Sequence, residues 1–154
     1  YNEAFRCGED VELSIRIIEA GFASGFIPEA HVYHKRRTTL TKFYWQVYRF
    51  GAARINLYKA HPTELKLPHF FPAAFVLYTL FSVLMLFTLT ALFFKLLVFY
   101  ALAVLVDSSF KTKQFSIAIL SVACVFTMNF GYGIGFLKNA FSRIVLGSST
   151  GIKL

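Results

Sequence analysis

The run from Phe71 to Val106 carries one charge, Lys95, in 36 positions, and so long an apolar stretch commits the chain to a membrane rather than to a water-soluble core. At about 1.5 Å per residue a single straight helix would reach roughly 54 Å, against a hydrocarbon core of about 30 Å. One crossing cannot absorb it. Two short spans turning near Lys95 fit the length and let the ammonium reach the far surface. The residues Phe93 to Leu97 nevertheless contain no Gly, Pro or Asn to mark a turn. One span followed by an interfacial or re-entrant segment is the alternative. Lys111 and Lys113 read as a loop, and Phe115 to Leu137 is long enough for a further span, giving two to three in all. Gly131 and Gly135 form a G-x-x-x-G pattern suited to close helix packing.

Charge divides the chain into three parts. Tyr1 to His34 holds six acids and two bases, Lys35 to His69 eight bases and only Glu64, and the remainder six bases and only Asp107. With 56% hydrophobic residues and nineteen Phe, the net charge of +8 belongs to an apolar chain. Disorder is excluded, and anionic head groups or an anionic substrate, not nucleic acid, are the expected partners. The two cysteines, Cys7 and Cys124, cannot supply a disulfide framework. The expected organisation is a soluble part over residues 1–38, an interfacial amphipathic helix and linker over 39–69, and a transmembrane region over 70–154. Positive-inside logic places the basic middle part, and residues 1–69 as a whole, on the cytoplasmic side of an integral membrane protein, with the bacterial inner membrane as the expected location.

Within the first part, Glu9, Asp10 and Glu12 crowd the start of a stretch in which Val11, Ile15 and Ile18 have helical spacing, and Gly21 follows as a stop. Phe22 to Ile27 and His31 to Tyr33, separated by Pro28, read as two strands or extended segments. Fewer than about forty residues bury too little surface to fold alone. That shortfall, and a start at Tyr1 without Met, lead to the expectation of a soluble domain upstream. Thr39 or Thr41 can cap a helix running through Phe43, Trp45, Tyr48 and Phe50 towards Tyr58, ending before Pro62. Its alternating rings and bases suit the membrane interface, with Lys42, Arg49, Arg54 and Lys59 reaching lipid phosphates.

The opening residues carry the chemical signal, because Gly8 sets the carboxylate pair Glu9 and Asp10 at a loop-to-helix junction. Read by composition, the pair simply complements the helix dipole. Asn2, Glu3, Phe5, Glu9, Asp10, Glu12, Leu13, Arg16, Gly21 and Phe22, however, match a segment that leads to an E-D pair and then a [DE]-L-x-x-R helix with Gly-Phe. Pro28, Ala30, Val32, His34, Arg36, Gln46 and Arg49 match a P-x-A-x-V-x-H segment, an arginine and a Q-x-x-R-W helix, with Phe50 at the tryptophan position. In these features residues 1 to about 60 resemble the C-terminal part of membrane-bound family-2 glycosyltransferases. Gly8 stands where processive synthases often carry Thr.

The resemblance implies a fold class and a chemistry. The fold class is the α/β tail of a GT-A-type nucleotide-diphospho-sugar transferase domain, followed by an interfacial helix and an α-helical transmembrane region. The chemistry is inverting transfer of a sugar from a nucleotide-diphosphate donor to a lipid-linked or growing glycan, or onto a polyprenyl phosphate, at the cytoplasmic face. A divalent cation, Mg or Mn, would be bound mainly by an upstream D-x-D segment, so that residues 1–154 alone would be inactive. Asp10 takes the role of catalytic base. Glu9 is expected to bind acceptor or tune that base, Gln46 and Arg49 to meet the departing diphosphate, and Arg36 with Arg37 either to clamp phosphate or to serve as plain positive-inside charge. His34 is a candidate for the diphosphate or its metal, or an ordinary hydrogen-bonded residue. A non-catalytic small membrane protein with a lipid-binding basic helix is the alternative in a different class.

Overall fold

The computed structural model describes residues 2–3, 5–35, 37–86 and 91–148. Five helices of more than two turns are found among them: α1 (Glu9–Glu19), α2 (Leu40–Ala60), α3 (Phe71–Leu86), α4 (Leu92–Thr112) and α5 (Phe115–Ala140), the last continued by a π turn, Phe141–Val145. The boundaries follow local chemistry. Gly21, at φ 84°, ends α1 through a paired hydrogen-bond motif in which Phe22 N donates to Ile17 O and Gly21 N to Ile18 O. Thr39 caps α2 by accepting from Lys42 N at 3.2 Å. Single 3₁₀ turns at Pro62–Glu64 and Leu67–Phe70 join α2 to α3, each with a proline at its start.

The expected α/β tail does not form. Among the described residues there is no strand, and residues 22–35 run as an open chain with Phe26 and Val32 each 89% exposed and Tyr33 98% exposed. Aromatic and β-branched residues mark a segment that fits a pleated surface, but a strand also requires a neighbouring edge for its N–H and C=O groups. None of the described residues supplies that edge. The fold is all-helical.

Its core lies between α2 and α5. Val47, Tyr48, Gly51, Ala52 and Ile55 form the buried stripe of α2, at the i, i+3, i+4 spacing of one helix face. Facing them, Gly131, Gly135 and Phe136 of α5 are buried. A Cβ on Gly135 would meet the Tyr48 carbonyl, and one on Gly131 would lie 2.5 Å from Val47 Cγ2 and 2.9 Å from Tyr44 O. The glycines therefore admit backbone-to-backbone approach that no larger residue allows. Gly133, between them, serves a second helix: its Cβ would strike the backbone of Pro72 at the start of α3.

Polar groups fix the register at the other end of this pair. Asn139 is fully buried and donates to Ala52 O and to Asn56 Oδ1, which also accepts from Arg143. Lys59 Nζ donates to Arg143 O at 3.2 Å. Arg143 thus lies beside the C-terminal end of α2, so this tail cation shares an end of the bundle with the basic middle part.

Among the described residues three helices are long and apolar enough to cross a membrane: Leu67–Leu86, Leu92–Thr112 and Phe115–Val145. Leu80, Phe99 and Phe110 point outward and fit contact with lipid. Tyr78 Oη donates to Phe93 O at 2.8 Å between α3 and α4, and Ser108 Oγ to Ser121 Oγ at 2.8 Å between α4 and α5. Lys95 falls in the first turn of α4, on its exposed side. Asp107 pairs with Lys111 at 2.9 Å in the last turns of the same helix.

Candidate functional site

Gly8 begins the site. Its φ of 82° turns the chain into α1, and a Cβ there would sit 3.5 Å from both Ala53 Cβ and Leu57 Cδ1, so the start of α1 rests directly on α2. The body of α1 is held by Glu12, only 2% exposed although it is an acid. Its two oxygens accept from Arg16 at 2.8 and 3.1 Å, and His61 Nε2, just past α2, lies 3.7 Å away. His61 Nδ1 is 3.3 Å from Glu19. The hydrogen bonds from Arg16 hold the Glu12 carboxyl below the usual carboxylate range. The match at Glu12 and Arg16 is therefore a docking device for α1.

Docking in this way opens a groove of about 560 Å³ between the start of α1 and the outer face of α2. Glu9 and Asp10 line one side, and Lys42, Gln46 and Arg49 line the other. Positions 42, 46 and 49 recur on one side of a 3.6-residue helix, opposite the stripe that α5 buries. Arg6 and Arg37 add to the lining, so four bases face two acids. The groove favours an anionic ligand while keeping a carboxylate pair at its edge. Asp10 is exposed, with Oδ1 accepting from Val11 N at 2.9 Å.

Four of the six predicted residues thus come together: Glu9, Asp10, Gln46 and Arg49. His34 lies apart, on the exposed chain before α2, and does not line the groove. Arg36 lies outside the described residues. Sequence reading missed Arg6, Cys7 and Trp45 as lining residues. Trp45, 52% exposed, packs edge-on against Tyr44 and Tyr48 at 5.4 Å, and its place four residues before Arg49 was the available signal. Cys7 had none beyond adjacency to Gly8. Burial first, then Glu9 and Asp10, push its thiol up from the ordinary value, with Arg49 acting in the opposite sense. A thiol so raised is a poorer nucleophile near neutral pH than an ordinary cysteine.

Two bases of α2 differ from their expected role at the lipid surface. Arg54 is half-buried with Nε enclosed, and it interacts with Tyr132 of α5. Lys59 donates to the Arg143 carbonyl of the π turn described above. Helical rotation explains both, since only Lys42 and Arg49 share the outer face.

Among the described residues no group of three or more His, Cys, Asp or Glu side chains converges. No cation chemistry is assigned to them. Comparison with protein families, with curated proteins and with solved structures finds no match.

Proposed function

We propose that the chain is the membrane-bound part of an inverting glycosyltransferase, with the groove between α1 and α2 as its acceptor and leaving-group side. The observation that carries this reading is the convergence of two motifs from separate stretches. Glu9 and Asp10 on one side meet Gln46 and Arg49 on the other, across a net basic cleft.

In this reading the Asp10 carboxylate takes the proton of an acceptor hydroxyl as its oxygen attacks the anomeric carbon of the donor sugar. The bond from that carbon to the diphosphate oxygen breaks, and its electron pair leaves with the diphosphate. Arg49 offers a planar fork of N–H donors and Gln46 an amide to the developing charge. Glu9, beside Asp10 on the same wall of the groove, is placed to hold the acceptor. The donor is a nucleotide-diphosphate sugar and the acceptor a lipid-linked or growing glycan. By the positive-inside argument the groove faces the cytoplasm.

The deciding experiment is Asp10→Asn in the intact membrane protein. Loss of a positioned base should lower turnover by about 10²- to 10⁴-fold, roughly 3 to 6 kcal/mol at about 1.4 per decade, with donor affinity nearly unchanged. If the pair only favours the start of α1, the variant should cost about 0.3 to 1 kcal/mol of stability and leave turnover close to normal. That second result would end the catalytic assignment.

A further inference from the structure

Beside the groove, at the N-terminal end of α2, lie two further cavities. One, of about 340 Å³, is lined by Lys35, Arg37, Thr38 and Lys42. The other, of about 490 Å³, lies between α2 and α5, with Arg37 and Gln46 among its polar lining and Leu40, Phe43, Leu120 and Cys124 on its apolar walls. Arg37 and Thr38 line both, so a basic recess adjoins an apolar slot. Leu120 and Cys124 belong to a helix long and apolar enough to cross a membrane.

We propose that this pair of cavities binds a lipid whose head is a phosphomonoester, the phosphate lying among Lys35, Arg37 and Lys42 and the hydrocarbon passing between Phe43 and Leu120. Charge and shape both select such a ligand. Three cations converge on a recess whose lining holds no acid, matching a group that carries close to two negative charges. Lys and Arg donors saturate phosphate oxygens, whereas a zwitterionic head group would bring its own cation into the same recess. An apolar slot adjoining the recess, and walled by a helix apolar enough to cross a membrane, has no use for a free anion. Its natural occupant is the chain attached to that phosphate. Arg37 also lines the groove between α1 and α2, and Gln46 is common to the groove and the slot. A phosphate held here therefore borders the groove through Arg37 and Lys42. The binding does not depend on the transferase reading.

The test uses the intact protein in detergent micelles with dioctanoyl phosphatidic acid as the probe, measured by titration calorimetry. Saturable one-to-one binding is expected, weakened roughly 100-fold by joint Lys35→Gln, Arg37→Gln and Lys42→Gln, since each basic residue near a phosphate surface contributes about fivefold. All three side chains are exposed, so the fold should survive. Charge-preserving Lys35→Arg, Arg37→Lys and Lys42→Arg together should restore affinity to within a few-fold. Leu120→Asn, on the exposed face of the slot, should weaken the lipid about fivefold or more and leave inorganic phosphate unaffected. Unchanged affinity in the triple glutamine variant would overturn the proposal. So would inorganic phosphate competing as well as the lipid, which would leave a phosphate site without a slot, or dioctanoyl phosphatidylcholine binding equally tightly. Lipid binding retained by an Asp10→Asn variant of unaltered turnover would uphold this site while removing the transferase reading.

Discussion

Gly51→Ala sets two effects of similar size against each other, and the structure decides between them. In a helix interior, replacing Gly by Ala gains about 1 kcal/mol of propensity. Here the added Cβ would run into the Tyr132 carbonyl, with Tyr132 C at 2.8 Å and Phe136 N at 3.0 Å, whereas ordinary contact begins near 3.4 Å. All three atoms are backbone, so no rotamer change relieves the clash. Helices α2 and α5 must separate by about an ångström, loosening Val47, Tyr48 and Ile55 along the same stripe. Overpacking of this kind costs about 1–3 kcal/mol, and the absence of any yielding side chain puts it at the upper end. The net expectation is a destabilisation of about 1–2 kcal/mol. Thermal unfolding of the purified protein in detergent, followed by circular dichroism, should show a lower midpoint for Gly51→Ala and for Gly135→Ala. Their double variant should lose less than the sum, because the first separation also makes room for the second methyl. A raised midpoint in both single variants would refute the close approach of the two backbones.

Asn139→Leu should destabilise by about 1–3 kcal/mol, since the buried Ala52 carbonyl and the Asn56–Arg143 pair lose their donor; the same melting assay reads it. Arg49→Lys should reduce sugar transfer with little change in midpoint, and Arg54→Lys the reverse, because only Arg49 faces the groove while Arg54 is packed against Tyr132; equal effects on both readouts would contradict this division. Alkylation of Cys7 at pH 8 should be slow and should accelerate several-fold in Glu9→Gln with Asp10→Asn, as the charges raising its thiol are removed. Docking of α1 should weaken in acid. The Glu12 carboxyl is lowered in the folded state, so its contribution is complete above the ordinary carboxylate value near 4.3 and is lost as pH falls through the folded value. Spin labels at exposed Ser14 and Thr63 should move apart in that acid range, and Glu12→Gln should abolish the pH step.

What could be read from the sequence was periodic or local. The stop at Gly21, the cap at Thr39 and the break before Pro62 are set by side chains within a few residues of where they act, and each lies where the chemistry of Gly, Thr and Pro puts it. The strands were misjudged because a strand is completed by a partner, and composition carries no information on whether one is present. Glu12 and Arg16 were equally opaque. Their spacing announces an ion pair, but it does not announce that Glu12 is buried, with His61 approaching it from beyond α2, while Arg16 stays exposed.

Bases on α2 show how far the same reasoning reaches into the candidate site. Sequence alone lets Lys42, Arg49, Arg54 and Lys59 be counted together as a belt for lipid phosphate. Helical rotation separates them once the face against α5 is known, and that face is announced by small residues rather than by bases: Gly51 and Ala52 on one helix, Gly131 and Gly135 on the other. With that stripe turned inward, Lys42, Gln46 and Arg49 must look the other way, towards Gly8, where φ of 82° lets the chain cross α2 closely enough to bring Glu9 and Asp10 alongside. The glycines of an apolar helix thus determine which cations a soluble loop can meet. A change that shifts α2 on α5 should disturb the groove without touching any residue that lines it. Gly135→Ala is the test, because the atoms nearest its methyl are all Tyr48 backbone: it should lower sugar transfer and speed Cys7 alkylation together, at a temperature where the protein remains folded. Normal values of both would show that the groove is formed by α1 and α2 alone, independent of the helix that crosses the membrane.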